Sequence, residues 1–284
     1  MSNTQQGKTL VVVGYSGGID SLCTTMYYLD KGCDVIAVNI DYGQTQAIET
    51  QIAKKTSQYI QEHKRKYLKC NNTYKLYTIH LGSPYKQIIA QSLGLDIRDL
   101  RYLHESVKKY SDLLYYYPSR NLIIASLLLA TLETYLYAKD LESDYDTGII
   151  ALGIHKHVTY DNYWDTTRDF LDKLNSLIEV RNNAKHITFK NVYVEAPFLE
   201  KSKEDIIQLA LERLWPIHMA WTCYNPIVSG DRVESCRECQ ACKERAYTID
   251  QLASVAKSLV ELYLYYYKIS SEQLKYPIVN VTTL

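Results

Sequence analysis

The stretch Thr9-Leu10-Val11-Val12-Val13-Gly14 runs directly into Tyr15-Ser16-Gly17-Gly18-Ile19-Asp20-Ser21. The first segment is a short β-branched apolar run ending in glycine, which reads as a strand, and the apolar spacing of Leu22, Met26 and Leu29 beyond it reads as a helix. Between them the chain must turn tightly, and the two adjacent glycines allow it. A junction of this kind offers bare backbone N–H groups at the positive end of a helix, where the oxygens of pyrophosphate fit. The string lacks the lysine of the Walker A pattern, and its glycines are adjacent, unlike those of G-x-G-x-x-G. An ordinary glycine turn is the plain alternative. The hydroxyls of Ser16 and Ser21 and the carboxylate of Asp20 argue for a binding loop instead.

The strand and helix order then repeats. Asp34 to Ile40 is a second apolar run, ending at Asp41-Tyr42-Gly43-Gln44 before a helix-prone stretch from Ala47 to about Lys66. Tyr74 to Leu81 reads as a third strand, Asn121 to Tyr137 as a buried helix, Gly148 to Gly153 as a fourth strand and Asn191 to Val194 as a fifth. This alternation predicts an α/β fold, a Rossmann-like parallel sheet flanked by helices with right-handed crossovers. Ligands of such sheets sit beyond the carboxyl ends of the strands, so the loops after Val13, Ile40, Leu81 and Leu152 are expected to share a cleft. Ser202 reads as a helix cap with Asp205 in capping-box position. Lys64-Arg65-Lys66 reads as a solvated helix end, and Ala241 to Tyr267 as one final helix. The expected division is an α/β domain over residues 1–220 and a small helical region over residues 221–284.

Cys223, Cys236, Cys239 and Cys242 stand together, while Cys23, Cys33 and Cys70 are scattered. Four thiolates with two C-x-x-C steps can wrap one tetrahedral ion and leave no site open for water, the pattern of structural zinc. An iron–sulfur cluster is the rival reading, and unliganded cysteines the plain one. The clustering points to metal rather than disulfides. Lys and Arg total 32 and Asp and Glu total 32, so there is no overall field to draw a polyanion, and no direct nucleic-acid partner is expected. Leu122 to Ala130 falls well short of the roughly 20 apolar residues a membrane span needs. A soluble, cytoplasmic protein is the expectation.

The S-G-G-I-D-S string resembles the pyrophosphate loop of the N-type ATP pyrophosphatases, of adenine nucleotide alpha-hydrolase-like fold. Joined to the later cysteines, it resembles the 7-cyano-7-deazaguanine synthase family of queuosine precursor biosynthesis. Further matches are Asp41-Tyr42-Gly43-Gln44, Ser119-Arg120-Asn121 opening a helix, and Gly153 closing a strand. The resemblance runs from about Val11 to Ala246 and is weak between Ser83 and Pro118.

It implies an ATP-dependent carbon–nitrogen ligase that joins 7-carboxy-7-deazaguanine and ammonia, using ATP, magnesium and structural zinc, as a homodimer. It gives Ser16, Gly17, Gly18, Asp20 and Ser21 to ATP phosphates and magnesium, Gln44 to ATP, and Lys203 to the phosphates. Asp20, Ser21 and Lys203 thereby become the catalytic candidates. Arg120 and Asn121 fall to the ATP or deazapurine cleft, Asp165 and Arg168 to the deazaguanine, and Cys223, Cys236, Cys239 and Cys242 to zinc. Within Tyr163-Trp164-Asp165-Thr166-Thr167-Arg168, Trp164 replaces the family's proline and Thr166-Thr167 its cysteine, with one residue extra. The spacing after Cys223 is also longer.

These departures open an alternative: a relative that stops at the amide or passes the acyl group elsewhere. A tRNA sulfur transferase and a non-catalytic binding module are the remaining rivals. Asp41 reads equally as a magnesium or ribose ligand and as a turn cap. His155 and His157 read as cleft-lining polar residues, Cys23 and Cys33 as buried helix and turn residues, and Trp215, Trp221 and Tyr263 to Tyr267 as packing or dimer surface, with base stacking the lesser reading.

Overall fold

The structure is a computed structural model that describes residues 7–41, 47–64, 72–81, 88, 91, 119–156 and 163–280. Strand β1 (Thr9–Gly14) leads into helix α1 (Ile19–Asp30), then β2 (Asp34–Asp41), α2 (Ala47–His63) and β3 (Tyr74–His80). Helix α3 (Arg120–Ala138) precedes β4 (Thr147–Ala151), α4 (Arg168–Asn182) and β5 (Val192–Glu195). All five strands pair in parallel in the order β3-β2-β1-β4-β5. The expected α/β class is therefore present.

Strand alternation explains why the sheet is covered on both faces. Leu10, Val12, Ile150 and Leu152 pack with α3 and α4 on one side. Val11, Val13, Ile149 and Ala151 pack on the other side with α1 and with helix α5 (Lys203–Glu212). Residues alternating along a strand point to opposite faces, so a strand buried on both sides must be apolar throughout, which is what made these runs readable.

Helix α3 differs from the expectation of a wholly buried helix. Asn121, Ala125, Leu128, Leu132 and Leu136 form the buried stripe, while Ser126, Ala130, Thr134 and Tyr137 are exposed. With 19 residues it is long and apolar enough to cross a membrane by composition. Its stripe lies against Leu10, Val12 and Ile150 of the sheet, at the spacing of a helix that packs one face on a core.

The C-terminal region holds strands that sequence reading did not anticipate. β6 (Ile227–Ser229), β7 (Arg232–Glu234) and β8 (Ile278–Asn280) form a small antiparallel sheet. The hairpin joining β6 to β7 occupies the long interval between Cys223 and Cys236. The single final helix expected from Ala241 to Tyr267 is two: α6 (Gln240–Val255) and α7 (Lys257–Tyr267), followed by α8 (Ser271–Lys275). Ala256 breaks the run with φ −133° and ψ 46°, and the turn lets Val260 and Tyr263 bury with Ile249 and Leu252 in the core around α1 and α5. Tertiary packing here overrides a continuous helical pattern.

Lys64 is likewise buried rather than solvated, at 7% exposure. It follows directly on α2, whose last residue His63 packs under Tyr267 of α7. Arg65 and Lys66 lie outside the described residues.

Candidate functional site

In the order β3-β2-β1-β4-β5 the chain winds outward in two directions from β1 and β4, and the point where they diverge is where parallel sheets of this kind bind ligands. Both strands release their loops there. Gly153 closes the gap: a Cβ on it would lie 3.2 Å from the backbone of Ser21, so the exit of β4 presses against the start of α1.

The loop itself has the shape the glycines allow. Gly17 sits at φ +82°, and a Cβ there would come within 3.1 Å of the Ala53 backbone on α2. The hydroxyls close it internally. Ser21 Oγ accepts from the Ser16 N–H at 3.2 Å and lies 3.1 Å from Ser16 Oγ, while the Gly18 N–H faces Ser16 Oγ at 3.3 Å. Gly18 is the residue before α1, with no side chain capping the helix. The backbone amides and dipole of this helix start suit an anion.

Asp20 projects from the first turn of α1, and Lys203 from the first turn of α5. Lys203 Nζ lies 2.5 Å from Asp20 Oδ1. The capping box is formed as expected, with Ser202 accepting from Asp205 and Asp205 accepting from the Ser202 N–H, so the start of α5 is rigid where the lysine leaves it. A third side chain joins them. His155 Nε2 stands 3.7 Å from Asp20 Oδ2, and its Nδ1 donates to the Lys156 carbonyl at 2.9 Å. The expectation of His155 as a cleft residue corresponds to this position, whereas His157 lies outside the described residues.

The other candidates divide. Asn121 and Asp165 meet: the Asn121 N–H donates to Asp165 Oδ2 at 3.1 Å, and its side-chain amide donates to the Asp165 carbonyl at 3.0 Å. Both are buried, so in this state Asp165 secures the start of α3. Arg120 is exposed one residue earlier. Arg168 pairs with Glu200 at 3.1 Å on an exposed surface. Asp41 lies 3.1 Å from His80 Nδ1 at the ends of β2 and β3. Gln44, like Tyr42 and Gly43, lies outside the described residues.

Cys223, Cys236, Cys239 and Cys242 converge, with all four sulfurs within 4.8 Å of one another. Tetrahedral zinc holds sulfur at about 2.3 Å, which separates the sulfurs by roughly 3.8 Å, so the four need only draw slightly closer around one ion. Backbone N–H groups already point at them: Cys236 to Cys223 Sγ at 3.2 Å, Cys239 to Cys236 Sγ at 3.4 Å, and Tyr224 to Cys239 Sγ at 3.4 Å. Burial pushes the Cys223 thiol up to about 11. For Cys236 burial also raises it, but the N–H groups of Cys239 and Glu238 outweigh that and bring it down to about 7. Cys236 is thus the readier thiolate, while Cys223 would give up its proton only to a bound cation.

Two residues had escaped sequence reading. Tyr224 follows the first cluster cysteine and turns its backbone N–H onto Cys239 Sγ. Arg245 is buried and donates to the carbonyls of Ile217, Ala220 and Leu274. A lone arginine in a helix carries no signal of that role. Cys23 is buried and Cys33 half-buried, as expected, and Trp215 and Trp221 are buried. Within the tyrosine run, Tyr263 packs inside but Tyr265 is 83% exposed.

Known proteins agree with this assembly along the sequence. The family described as "Queuosine biosynthesis protein QueC" matches residues 10–252, from the first strand through the last cluster cysteine and the buried arginine. A 7-cyano-7-deazaguanine synthase of Pseudoalteromonas atlantica is 28% identical over 243 residues, covering 85% of this chain and 94% of that protein. One from Thermoplasma volcanium is 26% identical over 234 residues, covering 82% and 83%. Among solved structures, a predicted subunit of a tRNA methyltransferase from Methanocaldococcus jannaschii aligns over 97% of this chain and 98% of that one, with 14% identity and a TM-score of 0.40. With the loop, the lysine and the four cysteines all inside the matched span, the chain belongs to the QueC family of queuosine biosynthesis proteins.

Proposed function

We propose that this protein is an ATP-dependent ligase that converts 7-carboxy-7-deazaguanine and ammonia to 7-cyano-7-deazaguanine. The observation that carries the reading is the Asp20–Lys203 pair set against the Gly17–Gly18 loop at the divergence of β1 and β4. The names of its relatives supply the product, and the carboxylate and ammonia are the precursors that the family resemblance implies.

A carboxylate is a poor electrophile because its charge is delocalised and its leaving group would be oxide. Its oxygen attacks the α-phosphorus of ATP, pyrophosphate departs and an acyl adenylate forms. Ammonia then adds at the acyl carbon and AMP leaves, giving the amide. In a second round the amide oxygen attacks another α-phosphorus with loss of pyrophosphate, and departure of AMP and protons leaves the nitrile. The protein's part is positioning and neutralising charge. The amides of the loop hold the pyrophosphate oxygens, Lys203 turns from Asp20 to the phosphate as charge grows there, and Asp20 is freed.

Magnesium, when bound with the nucleotide, would be held from Asp20 and would offset phosphate charge. The sulfur cluster has no open position and is proposed to hold zinc in a structural role. Arg120 and Asn121 line the deazapurine end in this reading, with Gln44 on the nucleotide. Homodimer assembly and a cytoplasmic setting belong to the same proposal and are checked by light scattering and cell fractionation.

A second reading has its own support. Asp165 is engaged with Asn121 and Arg168 with Glu200, and both belong to the segment that departs from the family pattern. A different clamp on the heterocycle would suit an enzyme that stops at the amide. Purified protein incubated with ATP, ammonia and 7-carboxy-7-deazaguanine, followed by mass spectrometry, separates the two. Nitrile with pyrophosphate release supports the first; amide accumulating without nitrile replaces it with the second.

A further inference from the structure

The path from the phosphate loop to the sulfur cluster is short and hydrogen bonded throughout. The Trp221 N–H donates to the Gly17 carbonyl at 2.9 Å. Its indole Nε1–H donates to the Cys223 carbonyl at 2.9 Å. The ring is buried with Ile52, Cys223, Val233 and Cys242. Arg245, on the helix that carries Cys242, donates to Ile217 at 2.9 Å and to Ala220 at 2.6 Å, and so holds the segment that delivers Trp221.

Peptide geometry turns this contact into control of the loop. A trans peptide is planar, so the Gly17 carbonyl and the Gly18 N–H point in opposite directions. Holding the carbonyl on Trp221 aims the Gly18 N–H toward the Ser16 hydroxyl, on the inner side of the turn. Paired glycines have many conformations at little cost, so this orientation needs an external restraint.

We propose that Trp221 is a positioning residue which, by setting the Gly17–Gly18 peptide, couples metal occupancy of the four cysteines to the grip of the loop on pyrophosphate. The inference rests on the proposed pyrophosphate role of that loop. Coupling between two sites is reciprocal, so a bound nucleotide must hold the metal in as strongly as the metal sharpens nucleotide binding.

The test uses the full-length zinc-loaded protein and Trp221→Phe, which keeps a ring in the pocket and deletes the donor to the Cys223 carbonyl. Zinc affinity is measured by equilibrium competition with a chromogenic chelator, with and without the magnesium complex of α,β-methylene ATP. The analogue is expected to tighten zinc at least about fivefold in the parent and no more than about twofold in the variant. Amide exchange supplies a readout without any variant. Stripping zinc should speed exchange over Gly17 to Ser21 while β1 and β2 stay protected.

Unchanged zinc affinity despite calorimetrically measured analogue binding overturns the coupling and leaves the ligase reading intact. So does full coupling in a folded Phe variant, or loop exchange indifferent to zinc. Failure of the parent to bind the analogue removes the pyrophosphate reading, and the coupling falls with it.

Discussion

Gly17 and Lys203 are where single side chains decide most. Gly17→Ala meets two penalties: a left-handed φ of +82° and a Cβ 3.1 Å from the Ala53 backbone. Gly32 shares the conformation, at φ +81°, with nothing within 4 Å of an added Cβ. Both alanines are expected to lower unfolding free energy by about 1–3 kcal/mol. Only the one at Gly17 should abolish nucleotide binding, so calorimetric titration of the two variants separates loop shape from general strain. Equal affinity in both would break the assignment.

Lys203→Met removes the ammonium and keeps the stem. Pyrophosphate release should fall about 10²–10³-fold, the scale of a lost charge-stabilising donor, with little change in melting temperature. Retained turnover would exclude the lysine from the chemistry. At this scale the sequence was informative wherever chemistry demands a rare residue at a fixed spacing, as in the loop and the cysteines. It said nothing of the Arg168–Glu200 pairing, which depends on where two distant elements meet.

The elements were legible in proportion to their burial. Strands β1, β2 and β4 are apolar along both faces because helices cover both, and their boundaries follow from the sequence within a residue or two. The β6–β7 hairpin was missed because β6 is exposed throughout and too short to show a pattern. Its turn signal, Ser229-Gly230-Asp231, was present, and Gly230 takes φ +58° there. The break at Ala256 had no local signal, since no proline or glycine marks it.

Arg245 of α6 carries a testable load at this level. Its guanidinium satisfies three carbonyls from the loop before Cys223 and from α8. Arg245→Met removes the guanidinium donor from the Ala220 and Leu274 carbonyls and leaves Ile217 with only the Ala220 N–H, while relieving the cost of a buried cation. A net loss of about 2–4 kcal/mol is expected, read from urea unfolding. A variant as stable as the parent would show that water replaces the guanidinium.

For the molecule as a whole, the parallel sheet followed from the alternation of strands and helices, but the assembly of α2, α7 and the segment before Cys223 did not. That assembly encloses two histidines. His63 and His218 sit among Tyr59, Tyr263 and Tyr267, with Tyr267 stacked on His63 and the Tyr263 hydroxyl 3.1 Å from His218 Nδ1. Burial pulls His63 down to about 4. For His218, burial together with Arg245 and His63 pulls it down to about 3.

The unfolded chain takes up these protons near pH 6.5, and the folded chain only well below that. Between those values the unfolded state binds more protons, so stability falls as the solution is acidified and is fully present above pH 6.5. Each histidine contributes a slope of about 1 kcal/mol per pH unit from pH 6 down to about 4. Urea unfolding across that range should show the midpoint dropping with pH in the parent and dropping less in His63→Phe. An identical pH dependence in the two would mean that His63 opens to water before the molecule unfolds.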